Sequence, residues 1–173
     1  MQIEMAKQNQ EEVRKIDVLF AEYEEYHQNP TNNFIHYIFV PLITFSIIGL
    51  VTAIPFPQIS FLGKYNMFIN WFSFLLAFSI YFYLRLSPLL SYFMLFAVAI
   101  MYFFIVQLEY VEQGGGPALW QVSLVIFVLS AIGQFIGHKK EVKKSSLSNE
   151  ISSLFVGPLW LMHLLLKKLN LRY

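Results

Sequence analysis

Cysteine is absent from this chain of 173 residues. Disulfides, thiolate-bound metals, iron–sulfur clusters and a cysteine nucleophile are therefore excluded. Charge is scarce as well. Asp, Glu, Lys and Arg make up 13% of the residues, about half of the ~25% usual in globular domains. Residues 34–137 hold only four of these charges, Lys64, Arg85, Glu109 and Glu112. A stretch that long cannot cover a water-facing surface with polar groups. The net charge of +1 and the want of a basic-aromatic patch give no sign of nucleic acid as a partner. The polar start of the chain also lacks the apolar core of a secretory signal.

What the chain has in excess is apolar and aromatic residues, 57% and 18% respectively. They fall into four runs, at residues 34–54, 67–84, 89–108 and 118–137. Pro55, Pro57 and Gly63-Lys64 break the first from the second, Arg85-Leu86-Ser87-Pro88 the second from the third, and Gly114-Gly115-Gly116-Pro117 the third from the fourth. Each run has about 20 residues, the length that carries a helix across the hydrocarbon core. Lipid offers no partner for an unpaired backbone group, so the runs are predicted to be helices. The expected fold is all-α: one membrane domain over 1–173, with four transmembrane helices in 34–137. Its partners would then include membrane lipid.

The flanks add two elements. In 1–33, Val13, Ile16, Phe20, Tyr23 and His27 recur at steps of three or four, one stripe of an amphipathic helix. It should stop near Asn29-Pro30, since proline disfavours a helical conformation in the residue before it. In 138–173 a basic loop precedes a shorter apolar stretch, 151–166, interrupted by Gly157-Pro158. With four spans, Lys7, Arg14, Lys15, Arg85, Lys139, Lys140, Lys143 and Lys144 share one side, against Lys64 on the other. The richer side is expected to be cytoplasmic, and the N-terminus with it. A straight fifth span would carry Lys167, Lys168 and Arg172 outward. A bend at Gly157-Pro158 keeps them inside, so a re-entrant or interfacial helical hairpin is expected.

Four histidines stand near the ends of these elements: His27, His36, His138 and His163. His36 follows the Thr31-Asn32-Asn33 cluster, a capping composition. An even number of spans puts His27, His36 and His138 at one membrane face, and the hairpin would bring His163 to them. Neutral imidazole is the commonest metal ligand and suits iron, zinc and copper. Ionisable groups at membrane depth are costly and usually functional. A single interfacial histidine is more often a hydrogen-bonding side chain; convergence of four leaves a shared metal and hydrogen bonding as evenly matched readings, since the spacing lacks the H-x-x-x-H pairing of a standard metal motif. Glu24, Glu25, Glu141 and Glu150 are carboxylates that could complete such a shell, or simply a solvated face. Lys139 and its basic neighbours could hold a substrate carboxylate, or only set topology. Gln134, one turn before His138, could orient it or bond to a neighbouring helix.

The motifs resemble a known family. Tyr26-His27-Gln28-Asn29-Pro30-Thr31-Asn32-Asn33-Phe34-Ile35-His36, running on to Pro41, is similar to the N-terminal motif of the fungal-type 2-hydroxy fatty acid dioxygenases. These are small multi-pass membrane proteins. Gln134-Phe135-Ile136-Gly137-His138 resembles their second motif, and Gly157-Pro158-Leu159 their C-terminal segment. After His138 the family pattern has a glutamate four residues on; here Val142 holds that place and Glu141 precedes it. The resemblance implies an iron(II)-dependent dioxygenase performing α-oxidation of a 2-hydroxy fatty acid with O2, which shortens the chain by one carbon. His27, His36 and His138 match the motif histidines; His163 rests on the topology alone. The membrane would be the bacterial inner membrane or the eukaryotic endoplasmic reticulum. Two other readings of the residues remain: a non-catalytic lipid-binding or scaffold protein, and haem or quinone binding, which the placement of the histidines at helix ends disfavours.

Overall fold

The computed structural model describes residues 14–61, 63, 69–143 and 147–171. Lys7, Val13, Lys64, Lys144 and Arg172, and the side chain of Glu150, lie outside the described residues. Six α-helices account for the described fold: α1 (Lys15–Glu25), α2 (Pro30–Thr52), α3 (Trp71–Leu86), α4 (Pro88–Gln113), α5 (Leu119–His138) and α6 (Leu147–Lys168). No strand occurs among the described residues.

Three of the helices, α2, α4 and α5, are long and apolar enough to cross a membrane. They mark the chain as a membrane protein. The second apolar run forms a shorter helix than the other three. Its helix, α3, has 16 residues, about 24 Å at the helical rise, against a hydrocarbon core of about 30 Å. Local chemistry sets that length. Asn70 caps the start: its side-chain oxygen accepts from the Ser73 N–H at 3.0 Å, and the Ser73 hydroxyl accepts from the Asn70 N–H at 3.2 Å. Ser87-Pro88 ends α3 and starts α4, with proline in the first turn where its missing N–H costs nothing. At α2 the cap is Asn29, two residues ahead of the expected cluster. Its side chain accepts from the Thr31 N–H at 2.9 Å, and Pro30 opens the helix.

The C-terminal segment departs most from expectation. No hairpin forms at Gly157-Pro158; α6 runs through both residues as one helix. Proline there removes one intrahelical donor and loosens the turn before it. Neighbouring helices pack against this turn. The Tyr83 hydroxyl on α3 donates to the carbonyl of Phe155 at 3.0 Å. Gly157 lets Tyr23 approach, and a Cβ there would meet the Tyr23 hydroxyl at 3.3 Å. The buried face of α6, Val156, Leu159, Trp160 and Leu166, then packs with Ile16, Phe20 and Tyr23 of α1. These are stripe positions predicted from the sequence.

α2 and α5 form the closest pair, and they run antiparallel. Cβ atoms added to Gly49, Gly133 and Gly137 would strike Ser123 at 2.2 Å, Phe39 at 2.5 Å and Asn32 at 2.3 Å, respectively. Small residues let the backbones approach where lipid gives no hydrophobic drive. This close pairing aligns the start of α2 with the end of α5.

Candidate metal centre

His36 lies in the second turn of α2, and His138 is the last residue of α5. The close antiparallel packing sets their Nε2 atoms 3.1 Å apart. His27, in the link between α1 and α2, places its ring centroid 4.5 Å from that of His36 and 5.5 Å from that of His138. One ring nitrogen of each lies within 4.8 Å of the other two. His27 and His36 are buried and His138 is half-buried.

The hydrogen bonds decide which nitrogens face the centre. His27 Nδ1 is 2.7 Å from the carbonyl oxygen of Tyr23. A carbonyl only accepts, so Nδ1 carries the proton and Nε2 the lone pair. That Nε2 is buried and has no hydrogen-bond partner. An orphaned buried acceptor costs about 1–3 kcal/mol, and a bound cation would satisfy it. His36 is built alike, with Nδ1 3.3 Å from the Tyr23 hydroxyl and Nε2 turned to His138. Two imidazole nitrogens on one ion, each at about 2.1 Å and at right angles, are about 3.0 Å apart. A proton shared by His36 and His138 would need the same separation; the orphaned nitrogen of His27 favours the ion.

Burial above all holds His27 below the ordinary histidine value of 6.5, although the hydrogen bond to the Tyr23 carbonyl opposes this. The neighbouring His138 lowers it further, and the Glu141 charge raises it. Neutral imidazole is the form that binds metal. The shift also predicts a pH dependence. As pH falls below 6.5, the unfolded chain takes up a proton at His27 that the folded chain refuses. Stability of the metal-free protein should therefore fall over that window and level off below the depressed folded value. Thermal unfolding in detergent between neutral pH and pH about 5 tests this. The slope should become shallower in His27→Gln; an unchanged slope would remove His27 as its source.

Three of the carboxylates named from the sequence, Glu24, Glu25 and Glu141, are engaged with other partners. Glu141 accepts from the backbone N–H of Asn29 at 3.0 Å, that of Gln28 at 3.2 Å, and the side-chain amide of Asn32 at 2.7 Å. The Asn29 amide donates to the Lys140 carbonyl at 3.2 Å. Glu141 thus clamps the His27-to-His36 link onto the end of α5, three residues past His138. Glu25 pairs with Lys143, which lies over the Tyr26 ring. Glu24 accepts from the Trp160 indole at 3.0 Å. Lys139 sits over Phe135, its ammonium 4.5 Å from the ring centroid. Gln134 lines a cavity of about 360 Å³ with His36, His138, Tyr23 and Ser153.

His163 is not brought into the group. Its ring lies 4.8 Å from that of Phe20. Because α6 does not fold back, each of its turns moves to an earlier part of α1: Trp160 packs on Tyr23, and His163 on Phe20. Phe20 is seven residues before His27, about 10 Å along a helix.

Tyr23 is the residue that sequence reasoning undervalued. It was legible only as a stripe position, yet its ring stacks on His27 at 4.0 Å and its hydroxyl meets His36. Burial raises its phenol well above the ordinary value, so the phenol keeps its proton. Its spacing four residues before His27 was the available signal.

A family model described as 2-hydroxy-palmitic acid dioxygenase Mpo1-like matches residues 13–169. No curated protein and no solved structure matches the chain.

Proposed function

This chain belongs to the Mpo1-like family, and from that premise we propose that it is an iron(II)-dependent dioxygenase acting on a 2-hydroxy fatty acid in the membrane. The observation that carries the reading is the buried, partnerless Nε2 of His27 beside the facing nitrogens of His36 and His138. Three imidazoles leave coordination positions open on an iron ion, as oxygen chemistry requires. The reaction balances without an added reductant. A 2-hydroxy acid and O2 give the acid one carbon shorter, CO2 and water.

Iron(II), when bound, would supply the redox centre and open positions for O2 chemistry, and the four electrons that reduce O2 come from the 2-hydroxy acid. The chain's own residues supply the rest. His27, His36 and His138 would hold the ion through Nε2. The Tyr23 carbonyl orients His27, and the Tyr23 phenol oxygen accepts from His36 Nδ1–H. That leaves the phenol's own proton to donate toward the cavity. The cavity volume of about 360 Å³ is within the range of about 300–1,000 Å³ for small-molecule sites. Gln134 and Ser153 on its wall would bind the carboxylate and 2-hydroxyl, with Val40 and Ile43 as the apolar part of the lining beside them. The basic loop after α5 and the N-terminal segment, joined by the Glu25–Lys143 pair, would lie on the cytoplasmic side.

Purified protein loaded anaerobically with iron(II) should convert 2-hydroxypalmitic acid and O2 to pentadecanoic acid and CO2, and the metal-free protein should not. Iron bound in a one-to-one ratio with no shortened acid formed would overturn the proposal. A second expectation isolates Tyr23. Removing the partner of a metal-bound histidine lowers metal affinity about 10–100-fold. Tyr23→Phe should show that loss in an anaerobic iron(II) titration while the helices stay folded. Unchanged affinity would leave Tyr23 as packing alone.

A further inference from the structure

A second cavity, of about 170 Å³, neighbours the first: Leu154 lines both. It follows a single face of α3. Phe72, Leu75, Leu76, Ser79 and Tyr83 all line it, at the three-and-four spacing of one helical stripe. From Tyr83 to Phe72 the cavity thus extends about 16 Å along the helix axis. On the facing helix α2, His36 borders the first cavity and Ile48 the deep end of the second, about 18 Å apart by the same rise. One leaflet's acyl chain covers about 15 Å, half of a hydrocarbon core of about 30 Å. Nearly all of the lining is apolar, and Phe72 and Ile48 at the far end are buried.

We propose that these two neighbouring cavities form one acyl-chain channel, with the polar head of a single-chain lipid at the histidines and its methyl end against Phe72, Leu76 and Ile48. The proposal rests on the dioxygenase reading for the head end only. An acyl chain fits better than a compact apolar ligand, because the apolar lining follows about 16 Å of one face of α3 and shares Leu154 with the polar cavity. The buried Phe72 and Ile48 at the far end make tail length a selected property. Each buried methylene adds about fourfold in affinity until the wall is reached, from the transfer free energy of about 0.8 kcal/mol per CH2. Leu76 and Ile47 are then specificity-determining residues, since a larger side chain at either shortens the channel.

The test uses full-length protein in lipid nanodiscs, stripped of metal with chelator, and 2-hydroxypalmitic acid carrying a diazirine at its terminal carbon. After irradiation, mass spectrometry should place the label on Phe72, Leu75, Leu76 or Ile48, and excess 2-hydroxypalmitic acid should block it. Label on the outward-facing Phe74 and Phe78, which are 58% and 60% exposed, would overturn the channel. So would label that the competitor does not block, the result expected for bulk bilayer lipid. Leu76→Trp, or Ile47→Phe should the first variant fail to fold, should abolish labelling by the palmitic probe and retain it with a dodecanoic analogue. Equal labelling by both probes in both variants would also overturn it. The labelling needs no metal, so a chain that takes up the probe but never binds iron refutes the dioxygenase reading and leaves the channel standing.

Discussion

Alanine at His36 should reduce iron(II) binding to the background level and abolish turnover, the largest effect expected of any single substitution. His36 is the central member of the triad. Its ring is the nearer of the two to His27, and its Nε2 meets that of His138 at 3.1 Å. Removing it leaves two nitrogens that no longer share a neighbour. The helices should survive. His36 is near the start of a helix held by its Asn29 cap and by close packing against α5, and the buried imidazole is replaced by a smaller apolar group. Anaerobic iron titration read beside circular dichroism separates the two effects. Iron retained at wild-type affinity would remove His36 from the shell, and loss of helicity would assign it to folding instead.

The second large effect is expected at Glu141, which touches no ring of the triad. Its carboxylate takes three N–H groups, two from the backbone of the link and one from Asn32. Glu141→Ala leaves those donors without their charged acceptor. Hydrogen bonds to a charged group contribute about 1.5–3 kcal/mol each, and water can re-solvate part of this half-buried site. A net loss of about 2–4 kcal/mol is expected, roughly 5–15 °C in melting temperature for a chain of this size. Iron affinity should fall with it, because His27 is held one residue before the clamped amides. Glu141→Gln keeps one acceptor oxygen and should recover part of both. Wild-type melting and affinity in Glu141→Ala would show that the clamp positions nothing.

The sequence reading succeeded where physics acts locally. The stripe through Ile16, Phe20 and Tyr23 is the buried face of α1, and the apolar runs became helices. His27, His36 and His138 meet because the chain returns to one face, which counting apolar runs can reveal. It failed where distant partners override local preference. Gly157-Pro158 reads as a break, but Tyr83 and Tyr23 support an unbroken helix there. Glu141 reads as a ligand or a solvated charge, because its true partners are backbone amides more than a hundred residues earlier in the chain. Such partners have no side-chain signature. The second run reads as starting near residue 67, and the Asn70 cap sets the start of its helix at Trp71.

The separation of His36 from His138 by 102 positions gives the triad a mechanical meaning as well. An ion bound to both would tie off a loop that contains α3, α4, most of α2 and the whole of α5 up to His138. In a polymer, such a tie removes the most disordered conformations of the unfolded chain, and the gain grows with the logarithm of loop length. For a covalent tie across about 100 residues the chain-entropy model gives about 4.7 kcal/mol. A chain with no cysteine has no disulfide to do this. Its metal would serve as the one removable cross-link, joining the first crossing helix to the last.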